Sequence, residues 1–288
     1  MGYSSKPFTQ RKRLSAHANS QLASVKLKRK QLFLFYREII DAQIQLRVFC
    51  EEIVKFFGKE KVKLSSPPGA HLGIKSFNGA LDKITNRSRL SEVGDLKDCA
   101  RMTLEFDSKY TMQLAKTFIV ATQEFKKVRS YQKALKDRYQ SGIGIDGLKK
   151  FNVKPDSSGY KDIKFFLKMK NGVIGELQLN TKGMLVAKGK AHVIYDILRV
   201  TDDYSKPYTI SNPDVVKQVR HHMNETWFDF VQSKVPNARP YIKQVQVMVS
   251  KIPTGSHPMM VVSPDDVDAL TKISLALYAQ GGSDSGFA

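Results

Sequence analysis

Two acidic residues and a set of basic ones have the types and spacing needed for chemistry on phosphate groups. Glu176 and Gln178 alternate with apolar residues in one stretch, and Asp98 and Arg101 stand at the start of another. Carboxylates bind Mg²⁺, the metal bridges phosphate oxygens, and lysine or arginine neutralises the charge of a transferring phosphoryl group. The residue types indicate metal-assisted phosphoryl transfer, with these candidates: Lys75, Lys83, Asp98, Arg101, Lys136, Tyr160, Glu176, Gln178 and His192.

The pattern around Glu176 places it on a β-hairpin. Apolar residues recur at alternate positions over 163–169 and again over 173–179, which is typical of half-buried strands. Asn171-Gly172 between them is the strongest short signal for a type I′ turn, because both residues tolerate positive φ. We therefore predict a hairpin that carries Glu176 and Gln178 on one strand face.

The basic candidates surround a helix predicted over 76–86. The run Gly69–Lys75 superficially resembles a Walker phosphate-binding loop, but that motif needs four residues between its glycines and lysine directly after the second. Lys75 precedes the predicted helix and Lys83 follows two turns later on about the same side. Two ammonium groups flanking a helix N-terminus can bind polyphosphate; a pair of solvated lysines is the alternative.

The other elements follow from the same periodicities. We predict a strand within 93–106 that carries Asp98 and Arg101, a long loop over 140–158, and a helix over 184–200 with His192 and Tyr195 near one face. The remaining predictions are helices over 31–57, 109–125, 215–231 and 265–279, and strands over 61–64 and 244–250.

The composition indicates a globular chain with an anionic partner. The chain has 288 residues, 41% hydrophobic content and a formal net charge of +20, which favours nucleic acid, nucleotide phosphates or an anionic membrane surface. A cationic surface without a cognate ligand is the alternative. Cys50 and Cys99 show no CxxC spacing, so buried thiols are expected, with neither a disulfide framework nor a zinc site.

The first thirty residues carry eight lysines and arginines and no acid. They contain no apolar core of a Sec signal peptide, and nowhere does the chain approach the roughly 18 apolar residues of a transmembrane helix. We interpret residues 1–30 as a basic flexible arm. An arm that contacts phosphates, or a signal for a non-Sec secretion system, are the alternatives.

Taken in order, the motifs resemble the synthetase domain of the RelA/SpoT family of alarmone synthetases over about residues 60–200. Lys75-Ser76 with Lys83 is similar to the family's Lys-Ser-x-x-Ser-x-x-x-Lys, with Gly79 in place of the second serine. Leu96–Arg101 is similar to its Asp-rich strand that ends in Gly-x-Arg. Four further motifs follow in the family's order: Lys136-Asp137, Gly159-Tyr160, Glu176–Thr181 and His192–Tyr195.

The resemblance implies a role for each matched residue. Lys75, Ser76, Lys83, Arg101 and Lys136 would contact the ATP phosphates. Asp98 would bind Mg²⁺, and Glu176 would help to bind the metal or activate the acceptor 3′-hydroxyl. Glu176, Asp98, Arg101 and Gln178 would form the catalytic group. Tyr160 would stack on the acceptor base, and the acceptor would also meet Lys161, His192 and Tyr195.

The sequence departs from the family pattern at more positions than Gly79, and one is the usual Gly before the strand Arg, which Cys99-Ala100 replaces. Most members carry the metal-binding Asp five residues before the strand Arg, where this chain has Leu96. Asp98 is two residues after Leu96 and therefore lies on the same strand face as the family's Asp would, whereas Asp95 is one residue before Leu96 and lies on the opposite face. The alternation of side chains along a strand therefore favours Asp98 as the metal ligand. Gly159-Tyr160 is followed by Lys161-Asp162 rather than the usual basic-Ser-x-His, which leaves the identity of the acceptor open and is closer to the toxin-like branch. No His-Asp dipeptide occurs, so self-reversal by a built-in hydrolase is not expected.

The predicted fold class is α/β (α+β): a mixed β-sheet flanked by helices, of the nucleotidyltransferase-like type that the resemblance implies. We predict the basic arm over 1–30, a long helix over 31–60, the synthetase core over 61–200, helices and a strand packed on it over 201–280, and a tail over 281–288.

The implied activity is a Mg²⁺-dependent pyrophosphokinase that moves the β,γ-pyrophosphate of ATP to the 3′-hydroxyl of GDP, GTP or an adenine nucleotide. It would act in the cytoplasm as a growth-inhibiting toxin or effector, with an antitoxin or immunity protein as partner. The alternatives are the tRNA 3′ end as acceptor, for which the net charge argues, and a non-catalytic RNA- or nucleotide-binding module on the same fold.

Overall fold

The computed structural model describes residues 8–65, 72–87, 93–128, 134–139, 159–200 and 203–283, and the side chains of these residues from 23 onwards except 86, 87 and 95. The predicted loop over 140–158 and the last five residues of the predicted tail lie outside these ranges. No helix in the described part of the chain combines the length and the apolar character needed to cross a membrane.

A five-stranded mixed sheet forms the centre of the described structure. The strands are β1 (Val62–Ser65), β2 (Ala100–Phe106), β3 (Leu135–Asp137), β4 (Ile163–Lys168) and β5 (Ile174–Thr181). Their order in the sheet is β1-β2-β5-β4-β3, and only β2 and β5 run parallel to each other. The predicted mixed sheet flanked by helices is confirmed.

One face of the sheet is apolar and is covered by the long helix α1 (Phe8–Phe57). Leu46 of α1 lies against Gly175 of β5, so closely that a Cβ at Gly175 would stand 3.1 Å from the Leu46 side chain. Two further helices, α3 (Lys109–Ala121) and α4 (Gln123–Lys126), belong to the same core. Because side chains alternate along a strand, burying this face leaves the residues between to form a second, polar face.

The C-terminal part of the chain forms a second apolar cluster around helix α5. The helices are α5 (Lys182–Leu198), α6 (Pro213–His222), α7 (Glu225–Lys234), α8 (Arg239–Ser250) and α9 (Pro264–Gly281). A small antiparallel sheet of β6 (Tyr208–Ile210) and β7 (Met260–Val262) belongs to the same cluster. Since α5 begins directly after β5, it connects this cluster to the central sheet.

The helix α1 begins much earlier than predicted. We expected a flexible arm through residue 30, whereas α1 extends from Phe8 to Phe57, so that prediction is wrong for residues 8–30. No glycine or proline interrupts this range, and Gly58 ends the helix with φ of +93°. The Lys28 ammonium donates to the Ile84 carbonyl at 3.1 Å, which fixes part of the predicted arm to the body of the protein.

The strand predicted over 244–250 is also wrong. These residues belong to α8, where Ile242, Val245 and Met248 are buried and Val247 is 40% exposed. Spacing of three along the chain places those three residues on one helix face. The alternation of Gln and Val was therefore coincidental, and packing against the helical cluster decides the conformation.

Two other predictions need smaller corrections. The helix predicted over 215–231 is two helices. The first ends at His222 with Met223 as its C-cap, and Asn224 caps α7 by accepting from the Trp227 amide at 3.1 Å. The hairpin is confirmed but its turn is not type I′. Gly172 has φ of +88° and donates its amide to the Met169 carbonyl at 3.0 Å, whereas Asn171 is not among the residues with positive φ. This is the three-residue loop with glycine in the left-handed position.

The helix predicted over 76–86 is shorter and ends irregularly. It comprises α2 (Phe77–Asp82), which Ser76 caps by accepting from the Gly79 amide, and a π-helical turn over Lys83–Arg87. The strand within 93–106 is β2, preceded by a 3₁₀ turn over Val93–Asp95. The helix predicted over 265–279 is confirmed as α9.

Candidate functional site

The polar face of the sheet gathers most of the predicted site residues. In the parallel pair β2 and β5, Arg101 lies opposite Glu176 and Thr103 opposite Gln178. In the antiparallel pair β4 and β5, Lys164 lies opposite Gln178. Lys136 of β3 continues the row opposite Lys164. Because registered neighbours share a face, the sheet brings one acid, one amide and three cations together.

Glu176 is held firmly at the centre of this face. It is 5% exposed, and its Oε1 accepts from Gln178 Nε2 at 2.6 Å and lies 3.3 Å from Lys164 Nζ. Gln178 in turn accepts from Lys188 Nζ of α5 at 3.0 Å. A buried carboxylate is costly unless it is paired and hydrogen-bonded. Gln178 and Lys164 therefore hold the Glu176 carboxyl group at a fixed position, and Lys188 in turn holds Gln178.

Asp98 forms a second ionic cluster beside β2. Its Oδ1 lies 2.8 Å from Lys83 Nζ and its Oδ2 lies 3.0 Å from Lys75 Nζ. Burial of Asp98 raises its pKa, but the two ammonium groups outweigh burial and hold the pKa of that carboxyl below its ordinary value. The structure thus brings together the predicted metal ligand Asp98 and both predicted phosphate-binding lysines. The side chain of the rival candidate, Asp95, lies outside the described part of the structure.

Arg101 is positioned by its backbone. Its amide donates to Gln43 Oε1 of α1 at 2.8 Å and to the Gly73 carbonyl at 3.0 Å. Gln43 Nε2 returns a bond to the Arg101 carbonyl at 3.1 Å. Within the described residues, the buried Arg101 Nε has no hydrogen-bond partner. A buried guanidinium nitrogen without a partner is unusual and fits a group that meets an anionic ligand.

Tyr160 lies at the end of the face next to α5 and α9. Its hydroxyl accepts from Asn180 Nδ2 at 3.1 Å, and Lys188 Nζ is 5.2 Å from its ring centroid. The Tyr278 ring of α9 packs edge-on at 5.5 Å between centroids. Burial and the nearby Asp162 carboxylate raise the pKa of Tyr160 well above its ordinary value. The Lys188 ammonium group thus lies beside the ring on which an acceptor base is predicted to stack.

His192 and Tyr195 form a separate group on α5. Their rings are 6.1 Å apart, and His192 Nδ1 lies 3.1 Å from Asp196 Oδ2. His192 also lines a cavity of about 430 Å³ between α5, α6 and α7, with His222 among the other lining residues. These ring contacts and this ion pair join neighbours on α5 rather than Glu176 or Asp98. The structure therefore does not join these two acceptor candidates to the carboxylates directly.

The remaining predicted residues occupy supporting positions. Ser76 caps α2 beside Lys75, and Lys161 is half-buried next to Tyr160. Lys136 is on the polar face, and the next residue, Asp137, points the other way into a buried ion pair with Lys116 at 2.6 Å. The Lys136-Asp137 motif thus combines a site residue with a structural one.

Sequence reasoning missed two cations of the site, Lys164 and Lys188. Strand parity was available as a signal for Lys164, because it alternates with Ile163 and Phe165 on the strand that faces β5. Burial lowers the pKa of Lys188 below its ordinary value. Lys188 lies four residues before His192 on a predicted helix, but only the packing of α5 on the sheet shows that it reaches Gln178.

The carboxylates fit a magnesium ion that arrives with a ligand. Within the described residues, no three His, Cys, Asp or Glu side chains lie close enough to hold a metal by themselves. Asp98 and Glu176 are nevertheless the hard oxygen donors that Mg²⁺ prefers, and Mg²⁺ in phosphoryl-transfer sites commonly takes only one or two carboxylates plus substrate phosphates. The donor set therefore fits a metal shared with phosphate oxygens.

Neither a protein-family model nor a curated protein matches the sequence. Among solved structures, the type VI effector Tas1 in complex with its immunity protein matches with 18% identity and a TM-score of 0.40, covering 87% of this chain and 95% of that one. Small alarmone synthetase 1 from Bacillus subtilis bound to its product pppGpp matches with 15% identity and a TM-score of 0.40, covering 75% and 99%.

A GTP pyrophosphokinase family protein from Streptococcus pneumoniae matches with 15% identity and a TM-score of 0.37, covering 74% of this chain and 97% of that one. With identities and TM-scores this low, the matches carry no argument about function, which rests on the side chains of the site.

Proposed function

We propose that this protein is a Mg²⁺-dependent pyrophosphokinase that transfers the β,γ-pyrophosphoryl group of ATP to the 3′-hydroxyl of a nucleotide. The observation that carries the proposal is the polar sheet face, where the nearly buried Glu176 is held by Gln178 and Lys164 directly opposite Arg101. A fixed carboxylate among cations suits proton removal from a hydroxyl that attacks a polyphosphate.

The cations are assigned to the donor. Lys75, Lys83 and Arg101 bind the ATP phosphates, with Lys136 and Ser76 in support. Lys75 and Lys83 converge on one carboxylate, so their ammonium groups meet at a single anionic position. Arg101 adds a buried nitrogen without a protein hydrogen-bond partner in the described structure. Such preorganised positive charge stabilises the charge on a transferring phosphoryl group.

Asp98 and Glu176 would hold Mg²⁺ when it is bound, and the metal would supply charge neutralisation on the donor phosphates. Glu176 accepts the proton of the acceptor 3′-hydroxyl. The 3′ oxygen then forms a bond to the β-phosphorus of ATP, the bond from that phosphorus to the α,β-bridging oxygen breaks, and AMP leaves. Gln178 and Lys164 hold Glu176 in position for this step.

The acceptor is assigned to the Tyr160 end of the polar face. Tyr160 stacks on the acceptor base, and Lys161, His192 and Tyr195 contribute to its binding. Guanine and adenine nucleotides both fit this assignment. Because unregulated transfer consumes ATP, we extend the proposal to a growth-inhibiting role in the cytoplasm, restrained by an antitoxin or immunity protein.

The test is AMP release from labelled ATP with Mg²⁺ and a mixture of GDP, GTP, AMP and ADP. Glu176→Gln keeps the size and the hydrogen-bonding ability of the side chain but removes its charge, and it should lower AMP release by at least about 100-fold, the range of a lost general base. Glu105→Gln is the matched control, because Glu105 lies on the same face of β2, opposite Asn180. Unchanged AMP release in Glu176→Gln would exclude the proposal.

A second candidate is a nucleotide- or RNA-binding module without turnover. It is favoured by Asp98, whose two oxygens are both paired with lysines in this structure. This candidate predicts that nucleotide or RNA binding weakens steeply as the salt concentration rises. It also predicts that neither the wild type nor Glu176→Gln releases AMP from ATP. The same assay, run with a binding measurement, separates the two functions.

A further inference from the structure

Asp98 stands where a phosphate group would be expected. Lys75 and Lys83 approach it from two sides, each placing an ammonium nitrogen on a different carboxylate oxygen. A carboxylate presents two anionic oxygens to such a pair much as a phosphate does. In the present structure both lysines therefore already have a carboxylate of the protein itself as an ionic partner.

A metal-free phosphate would have to displace this carboxylate. The Asp98 side chain is only 18% exposed, so water cannot fully replace the lost lysines. Removing the partners from a largely buried charge is strongly unfavourable, and the incoming anion would also repel the carboxylate. Binding of bare phosphates is therefore opposed by the cost of leaving Asp98 unpaired.

A metal-bound polyphosphate avoids this cost. Its phosphates take the two lysines while its cation offers Asp98 a new partner, so every charge remains paired during the exchange. We propose that Asp98 is a specificity-determining residue, which occupies the phosphate position between Lys75 and Lys83 and makes the site select metal-chelated polyphosphate over metal-free phosphates. This inference rests on the proposed function, since it assigns the two lysines to phosphate.

Its position makes Asp98 well suited to such exclusion. Lys75 is additionally fixed through its backbone, because the Tyr36 hydroxyl donates to the Lys75 carbonyl at 2.6 Å and the Lys75 amide donates to the Cys99 carbonyl at 2.9 Å. Lys83 begins the π-helical turn that follows α2. Since the backbone holds both lysines, the exchange needs movement of side chains alone.

The experiment measures binding of inorganic tripolyphosphate by calorimetry, with Mg²⁺ and with a chelator, and needs no catalysis. The affinity of Asp98→Asn for metal-free tripolyphosphate should be about tenfold higher than that of the wild type, equivalent to about 1.4 kcal/mol. The ratio of the affinity for Mg²⁺-tripolyphosphate to the affinity for metal-free tripolyphosphate should fall at least tenfold. Glu105→Gln removes the same charge from the sheet face without touching the lysine pair. It should retain the wild-type ratio.

Two outcomes would overturn the inference. In the first, Asp98→Asn binds metal-free tripolyphosphate no more tightly than Glu105→Gln does; in the second, Asp98→Asn has the wild-type ratio of affinities for Mg²⁺-bound and metal-free tripolyphosphate. Asp98→Ser serves as a second variant if Asp98→Asn does not fold, as judged by circular dichroism, and it must show the same two changes. Failure of the proposed function is distinguishable, because AMP release can be absent from every variant while tripolyphosphate binding still shows the predicted shift.

Discussion

Glu176 and Asp98 illustrate two ways in which a protein supplies partners to a largely buried carboxyl group. Glu176 receives one amide and one ammonium group on the same oxygen, so it is oriented as well as paired. Asp98 receives one ammonium group on each oxygen, so both of its oxygens are engaged. The first arrangement suits a group that keeps its place during a reaction, and the second suits one that exchanges partners.

The ion pairs of Asp98 predict a pH dependence of stability. Its pKa is lower in the folded protein than in the unfolded chain, where the ordinary value is about 3.9. The stabilising contribution is therefore complete above about pH 4 and is lost as the pH falls through the lower folded value. We expect the difference in unfolding free energy between wild type and Asp98→Asn, measured with urea, to shrink as the pH decreases from 6 to 3.

The exposed Asp107 provides the control for this measurement. It follows β2 directly, and Asp107→Asn removes a carboxylate from the surface without touching the two lysines of the Asp98 cluster. A difference for Asp98→Asn that stays constant or grows towards acid would contradict the assignment of both lysines to this carboxylate.

We expect the stability of the protein to depend strongly on Gly73, because its carbonyl accepts from the Arg101 amide. Its φ is +87°, and a Cβ there would stand 2.2 Å from the Arg101 carbonyl oxygen and 2.2 Å from Gln43 Nε2. Gly73→Ala should therefore lower the free energy of unfolding by roughly 2 kcal/mol or more. Gly189→Ala is the matched control: that glycine lies inside α5, where an added Cβ would meet nothing within 4 Å, so the substitution should raise stability by about 1 kcal/mol.

Urea denaturation followed by circular dichroism measures both glycine variants. Equal effects of the two substitutions would show that the close approach of Gly73, Gln43 and Arg101 does not hold in solution.

Residue patterns predicted a strand or a helix correctly where its apolar residues lie on a single face of the element. The hairpin was recognisable because alternation on both strands agrees with a glycine turn, and α9 because Ser263-Pro264 precedes an apolar helical face. Helix α8 was missed because its valines alternate over 245–249 while the helix buries residues three apart. Only tertiary packing distinguishes the two patterns over so short a stretch.

The same reasoning explains which site residues were predictable. Motif order led to Glu176, Asp98 and the two lysines, and the pairing of Asp98 with those lysines is seen in the structure. Lys188 was not predictable because its part in the site depends on how α5 crosses the sheet after β5. The predicted two-residue turn would have shifted the register of the hairpin by one residue, because the actual loop has three residues. The parallel pair that places Arg101 opposite Glu176 was not predictable either, because distant segments form it.

The capping box of α9 predicts a local contribution to stability. Ser263 accepts from the Asp266 amide at 3.2 Å, and Asp266 accepts from the Ser263 amide at 2.9 Å. Asp266 also accepts from Gln244 Nε2 of α8 at 2.5 Å, so it joins two helices of the C-terminal cluster. We expect Asp266→Ala to lower the free energy of unfolding by about 2 kcal/mol, the upper range for a lost cap.

Asp265→Ala tests whether this loss is specific to the capping box. Asp265 is exposed in the same first turn of α9, so its removal affects only the interaction with the helix dipole and should cost about 0.5 kcal/mol. If thermal or urea denaturation gave the two variants the same stability, the box would have no energetic role of its own.

At the scale of the molecule, α5 is the structural link between the two apolar clusters. It starts at Thr181, where β5 ends, and Thr181 caps it by accepting from the Met184 amide at 3.3 Å. One side of α5 supplies Lys188 to the polar face, and buried residues such as Ile194 and Ile197 pack in the C-terminal cluster. The position of the Lys188 ammonium therefore depends on the packing of the C-terminal helices.

The net charge of +20 predicts opposite effects of salt on stability and on ligand binding. Self-repulsion destabilises a compact, highly charged chain, and added ions screen it. Raising NaCl from 0.05 to 0.5 M, chosen to shorten the Debye length from about 14 to about 4 Å, should therefore raise the melting temperature.

The same change should weaken binding of Mg²⁺-tripolyphosphate, because it screens attraction by the cations of the polar face. Calorimetry and thermal melts on one sample measure both, and sucrose, which does not screen charge, should leave binding unchanged. If salt raised both the melting temperature and the affinity for Mg²⁺-tripolyphosphate, or lowered both, the prediction would be wrong. Repulsion within the whole molecule and attraction at the polar face would then not be independent effects.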